Sequence, residues 1–233
     1  MPAASWPPGL AFWQALTRLG EAQILLPLML AVAGWLAWRQ GARRLALAWA
    51  GCTALAALLT TASKLAFIGY GIGWPAWDFT GLSGHAMFAA AVLPVLARLA
   101  VGAQGPAAAA LAMGLALAGL VAGSRVAVGA HSVSEVLLGA AVGALASAAT
   151  LRLAGPLPPQ AGWKALAPLA LAWALLGVAG APPSRTHDAV TRLALAVSGR
   201  PQPYQRWMMH RDHRRAPPAA APAAAPAASV QAR

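Results

Sequence analysis

Apolar residues run through this 233-residue chain in long blocks, with polar positions gathered between them. Six blocks approach the roughly 20 residues that a helix needs to cross a bilayer. They are Ala22–Trp38, Leu45–Thr61, Ala86–Val101, Ala107–Ala122, Val136–Leu151 and Trp163–Gly180. This pattern predicts an all-α fold, a polytopic membrane helix bundle with about six transmembrane helices. Ahead of the first block, Gly9–Gly20 is apolar but short and carries Gln14, Thr17 and Arg18, which predicts an interfacial helix. Ile24–Leu30 followed by Ala31-Val32-Ala33 has the outline of a signal peptide. Glu21 and a lone Arg18 stand where a basic start belongs, however, and the apolar run continues to Trp38, so a retained span is expected. Trp35, Trp38 and Trp163 sit at block ends, as interfacial aromatic belts do, whereas for Trp49 and Trp173, within blocks, plain helix filler is an equal reading. No internal repeat points to an inverted-repeat transporter.

The same pattern divides the chain into residues 1–21, an N-terminal interfacial segment; 22–181, a transmembrane domain; 182–215, a basic tail; and 216–233, an Ala/Pro-rich tail expected to be disordered. Within the basic tail only Thr186–Val197 is amphipathic. Composition agrees: 59% of residues are hydrophobic and 9% charged, too few charges to cover a water-facing surface. The net charge of +12 does not imply a nucleic-acid partner, because eight of the fifteen arginines lie at or after Arg185 and form no compact basic face. Cys52 is a single thiol in an apolar run and carries no redox information.

In so apolar a body the ionisable residues are the candidates for chemistry. Between the first block and the tail stand only two histidines, His85 and His131, and two acids, Asp78 and Glu135. Lys64 is expected at the end of the second block, His85 at the start of the third, and Arg125, His131 and Glu135 between the fourth and fifth. Crossing parity puts all of them on one membrane face. Two cations beside two imidazoles and a carboxylate suit a phosphate-type anion. His131 and Glu135 are four apart, so on a helix they would share a face, with the carboxylate fixing one ring nitrogen and leaving the other as nucleophile. Ser83 is expected to cap the third helix and aim its free N–H groups at a phosphoryl oxygen. His85 would then protonate a leaving oxygen.

These residues resemble the type 2 phosphatidic acid phosphatase (PAP2) superfamily, whose signatures are K-x6-R-P, P-S-G-H and S-R-x5-H-x3-D. Lys64, Ser83-Gly84-His85 and Ser124-Arg125…His131…Glu135 match in order and internal spacing. Three positions depart from the pattern. The first-motif R-P falls on Gly71-Ile72, the proline before S-G-H is Leu82, and the last Asp is Glu135. The missing arginine removes a bidentate phosphate contact, for which Trp74, Trp77 or local backbone are candidate substitutes. The resemblance implies His131 as the nucleophile of a phosphohistidine intermediate, His85 as acid and then base, and Glu135 as the group orienting His131. It further implies Lys64, Ser83, Gly84 and Arg125 as phosphate ligands, and neither metal nor other cofactor. Asp78 lies outside the motifs and reads as a loop or capping residue.

The function expected is an integral-membrane phosphatase for a lipid phosphate or lipid diphosphate. The alternative is a catalytically weakened PAP2-like protein that binds or carries phospholipid. Arg39, Arg43, Arg44, Arg98, Arg152 and Lys164 lie on the face opposite the site, so the positive-inside rule makes that face cytoplasmic and the pocket extracytoplasmic. Arg185, Arg192 and Arg200 of the tail oppose this assignment. An Ala-rich, Arg-over-Lys composition suggests a bacterial inner membrane with a periplasmic active site.

Overall fold

The structure, a computed structural model, describes residues 8–39, 41–157, 168, 171–173, 175, 177 and 185–215. Its regular elements are helices: α1 (Pro8–Arg18), α2 (Ala22–Arg39), α3 (Arg43–Tyr70), α4 (Gly84–Val101), α5 (Ala107–Ala127), α6 (Val133–Ala154), α7 (Thr186–Ser198) and α8 (Arg206–Arg215), with a short 3-10 turn at Pro75–Trp77. Among the described residues, five segments are long and apolar enough to cross a membrane: Gly9–Trp38, α3, α4, α5 and α6. The protein is an all-α, multi-pass membrane bundle. Large side chains cover its outside, among them Leu47, Leu58, Met113, Leu137 and Leu145. In water that surface would be costly, whereas in lipid it is matched to its solvent.

The core forms around α4, which touches α2, α3, α5 and α6. Its Ala86, Met87, Ala89–Val92 and Val95 are buried, and small residues on the neighbouring helices bring the backbones close. A Cβ on Gly143 of α6 would stand 2.2 Å from the Met87 carbonyl oxygen, and one on Gly114 of α5 would stand 2.5 Å from Pro94 Cα. Trp49 of α3 is fully buried, and its Nε1 donates to the Ala91 carbonyl at 3.2 Å. It is therefore core rather than belt. Trp38, by contrast, is 87% exposed near the end of α2.

Several expectations change in detail. Helix α3 continues nine residues past Thr61 to Tyr70, so Lys64 lies within the helix rather than at its end. The hydropathy signal breaks at Ser63-Lys64, but Leu65–Ile68 restores an apolar turn, of which Phe67 and Ile68 are buried. The expected sixth span, Trp163–Gly180, lies largely outside the described residues. Those described within it are helical, and Trp173 Nε1 donates to the Ile24 carbonyl at 3.3 Å. Residues 1–7 and 216–233 of the expected terminal segments also lie outside. The basic tail from Arg185 folds into two helices rather than one amphipathic stretch, and α7 packs along α3.

Candidate functional site

Helix direction brings the candidate residues together. The C-terminal ends of α3 and α5 and the N-terminal ends of α2, α4 and α6 meet at one end of the bundle, and the α7–α8 strap closes over it. A cavity of about 940 Å³ opens there, lined among others by Lys64, Gly84, His85, Arg125, His131 and Arg206. Polar residues from five helices and the connecting loops thus face one space.

The connection from α3 to α4 is shaped by its chain ends. α3 stops at Gly71, whose φ of +74° is the left-handed conformation that terminates helices; Gly71 N–H donates to Phe67 and Ile72 N–H to Ala66. After the 3-10 turn, Trp74 and Phe79 exchange backbone hydrogen bonds. Gly81 then passes close over α3, where an added Cβ would meet Lys64 Cγ at 3.1 Å, and its φ of +134° itself favours glycine. Ser63 Oγ fixes the end of the loop by accepting from Leu82 N–H at 3.0 Å.

Ser83 occupies the N-cap position of α4, but its side chain makes no capping bond. This corrects the expectation that its hydroxyl caps the helix. Its backbone N–H instead donates to the Glu135 carbonyl at 3.0 Å, locking α4 to α6. Ser83 Oγ and Arg125 Nε are both buried without a hydrogen-bond partner among the described residues. Native interiors rarely leave such donors unmatched, and of the two Arg125 lines the cavity, where an anion could satisfy its guanidinium. Arg125, in the last turn of α5, is aimed by Thr17, whose Oγ1 accepts from Nη1 at 2.7 Å. The turn between α1 and α2 presses on the same place: a Cβ on Gly20 would meet the His85 backbone oxygen at 3.1 Å.

His131 and Glu135 do form a pair, with Nδ1 and Oε2 2.7 Å apart, though not on one helical face. Ser132 is the N-cap of α6 and His131 precedes it. Ser132 and Glu135 form a reciprocal capping box: Ser132 Oγ accepts from Glu135 N–H, and Oε2 accepts from Ser132 N–H at 3.2 Å. That reach back past the helix end is what brings the carboxylate to the imidazole. The longer Glu therefore arrives where the family pattern has Asp. Nδ1 is engaged by Glu135, which leaves Nε2 as the ring nitrogen outside this pair. Burial pushes the His131 imidazole below the usual histidine range; the Glu135 hydrogen bond opposes this, while Lys64 and Arg125 add to the lowering.

Glu135 is fully buried, and its other oxygen, Oε1, accepts from Thr80 N–H at 2.7 Å, from Thr80 Oγ1, and from Arg206 Nη2 at 2.8 Å. Neither Thr80 nor Arg206 was legible as a site residue. Asp78, expected as a loop or cap residue, pairs with Arg206 and with His210 Nε2, the latter at 2.6 Å. Trp74 and Trp77, candidate substitutes for the missing arginine, stack on each other at 5.8 Å and are 62% exposed. They do not line the cavity, whereas Arg206 does.

The place of the missing arginine is filled. A Cβ on Gly71 would meet the Tyr204 ring at 3.4 Å, in addition to adopting an unfavourable φ. Gly71→Arg is therefore expected to cost about 1–2 kcal/mol of stability and to lower kcat/KM rather than restore a phosphate contact. Thermal unfolding in detergent and steady-state kinetics check both.

A family model described as the PAP2 superfamily matches residues 20–157. A Klebsiella pneumoniae protein described as "Uncharacterized 22.5 kDa protein in cps region" is 33% identical over 208 residues, covering 85% of this chain and 98% of that protein. No solved structure matches the chain.

Proposed function

The chain belongs to the PAP2 superfamily, whose members generally hydrolyse phosphate esters, and from that premise we propose that it is an integral-membrane phosphatase for a lipid phosphate or lipid diphosphate, acting through a phosphohistidine on His131. The observation that carries this reading is the His131–Glu135 pair beside a cavity shared by Lys64, His85 and Arg125, whose buried Nε has no partner among the described residues.

In the proposed reaction, the Nε2 lone pair of His131 attacks phosphorus while Nδ1–H stays on Glu135. The bond from phosphorus to the leaving oxygen breaks, and His85 gives that oxygen its proton. Neutral His85 then takes a proton from water, whose oxygen attacks phosphorus, and the P–N bond breaks back to Nε2. The sum is ester plus water giving alcohol plus phosphate. Lys64, Arg125, Ser83 and the N–H groups around Gly84 hold the phosphoryl oxygens. A lipid substrate is favoured because the cavity continues over Leu26, Ala57, Ile68 and Phe88 inside a lipid-facing bundle. The carrier alternative drew on the absent first-motif arginine. A His131 ring held at Nδ1 by a buried carboxylate and lining the cavity argues for turnover. Release of phosphate from a panel of lipid phosphates by the purified protein tests the proposal, and binding without release would select the carrier.

Two further outcomes are expected. Protonation of Nε2 removes the nucleophile, and the His131 pKa is held below its ordinary 6.5. The acid limb of kcat/KM, corrected for the substrate's own phosphate titration, should therefore fall below pH 6.5; a limb near or above 7 would assign the titration elsewhere. The pocket is also proposed to face the extracytoplasmic side of a bacterial inner membrane. The opposite end carries Arg43, Arg44, Arg98 and Arg152, while part of the strap's charge is neutralised by pairing of Arg206 and Arg211 with acids. In a Cys52→Ser background, the exposed Ala130→Cys should react with a membrane-impermeant thiol reagent in intact cells, and the exposed Gln104→Cys should not.

A further inference from the structure

Glu135 draws its partners from three parts of the chain. Oε2 serves the start of its own helix, taking His131 and Ser132 N–H. Oε1 is held by Thr80 from the α3–α4 loop and by Arg206 from the strap. Arg206 lies beyond residues 20–157, so the family match does not carry it. Its Nη1 donates to the Asp78 carbonyl at 2.6 Å and pairs with Asp78 Oδ2; its Nη2 reaches Thr80 Oγ1 at 3.2 Å and Glu135 Oε1 at 2.8 Å. Four acceptors account for the four hydrogens on the terminal nitrogens. A guanidinium that clamps phosphate turns that fork toward its ligand. This one turns it toward a loop and a buried carboxylate.

The strap is built to deliver it there. Ser198 at the end of α7 packs against Gly69, and Tyr204 N–H donates to the Ile68 carbonyl at 2.9 Å. The Tyr204 ring stands edge-on to Phe67 and covers Gly71. Met209 is buried against Gly73, and His210 takes the second oxygen of Asp78. A side chain at position 71 would start in contact with the Tyr204 ring of this strap and in a strained backbone conformation.

We propose that Arg206 is a positioning residue for the hydrolysis: it braces Glu135, and through Glu135 the His131 imidazole, so that the α7–α8 strap is a working part of the site. The inference rests on the phosphatase reading above. It has a consequence that mere support of the fold lacks. Arg206 is a cation shared with the carboxylate that also faces His131. Taking it away leaves Glu135 freer to stabilise the imidazolium, so the His131 titration moves to higher pH. Lys64, Arg125 and His85, the other ionisable groups that act on His131, are unchanged by the substitution.

The test compares wild type with Arg206→Ala and Arg206→Lys in the full chain, using kcat, KM, the pH profile, and NMR titration of the His131 ring. For Arg206→Ala, kcat should fall on the order of 10- to 100-fold, as loss of supporting contacts does, with KM within about threefold and the acid limb displaced upward. Arg206→Lys should keep the limb near its wild-type place yet leave kcat reduced, because one ammonium cannot span Asp78, Thr80 and Glu135. A raised KM with kcat unchanged would put the guanidinium on substrate and overturn the proposal. So would unchanged kinetics, or a fall in kcat with the limb unmoved in both variants. The ring titration needs no turnover. If wild type hydrolyses no phosphate ester, the phosphatase reading fails while the His131 shift still decides whether Arg206 braces the dyad; an unshifted ring in Arg206→Ala rejects the brace.

Discussion

His131→Ala is expected to lower kcat by roughly 10⁴-fold or more, the scale on which loss of a nucleophile is felt in enzymes of triad type. The reason is positional as well as chemical. His131 is the imidazole whose Nδ1 is held by Glu135, and His85 sits on another helix with no carboxylate partner in hydrogen-bond contact among the described residues. It cannot take over the attack. The fold should survive, because His131 lies outside the apolar helices and Glu135 keeps Thr80, Ser132 and Arg206 as partners. Phosphate release by purified variant, alongside its melting temperature, separates the two effects. A variant with near-normal turnover would reject His131 as nucleophile.

Glu135→Gln is the second large effect, and here activity and stability fall together. The amide keeps the shape but must present one oxygen and one NH₂. If its oxygen stays on the Thr80 and Arg206 side, the NH₂ faces both Ser132 N–H and His131 Nδ1. Donor then meets donor at Ser132. At His131 the ring must turn its Nδ1 into an acceptor, which moves the hydrogen to Nε2 and blocks attack. The expected loss in kcat is on the order of 10²- to 10⁴-fold, by analogy with amide replacement in a triad. Loss of the charge facing Arg206, which keeps Asp78 as its partner, and a broken capping box should also cost about 1–3 kcal/mol. Because both changes are expected, the diagnostic is kcat per folded molecule. A normal value among the folded fraction would reduce Glu135 to a structural role.

The bundle and most of the site's components were readable because their signals are local. Apolar blocks near 20 residues long disclose α2 and α4–α6 without tertiary information, and an acid four residues after a histidine stands out in a chain with five acidic residues. What failed were details set by neighbours. Spacing suggested a shared helical face for His131 and Glu135. Ser132-x-x-Glu135 carried the better signal, a capping box that starts the helix after His131 and bends the carboxylate back to it. Lys64 looked like a helix end because charge interrupts hydropathy, yet the apolar turn after it packs against the strap. Arg206 was invisible for a different reason. It is 71 residues from Glu135, in a segment where arginine is common, and no periodicity links the two. One clue did exist: Asp78, an acid without a role in an otherwise apolar body, called for a cation.

The central claim is that hydrolysis proceeds in two displacements at phosphorus, with His131 as the first nucleophile. Its most direct test is the stereochemical course with a substrate made chiral at phosphorus by oxygen isotopes. Each in-line displacement inverts the centre, so a phosphohistidine route gives net retention in the released phosphoryl group, after transfer to an acceptor alcohol that preserves the chirality. Retention is the result predicted. Net inversion would mean that water attacks the ester directly, and would contradict the account.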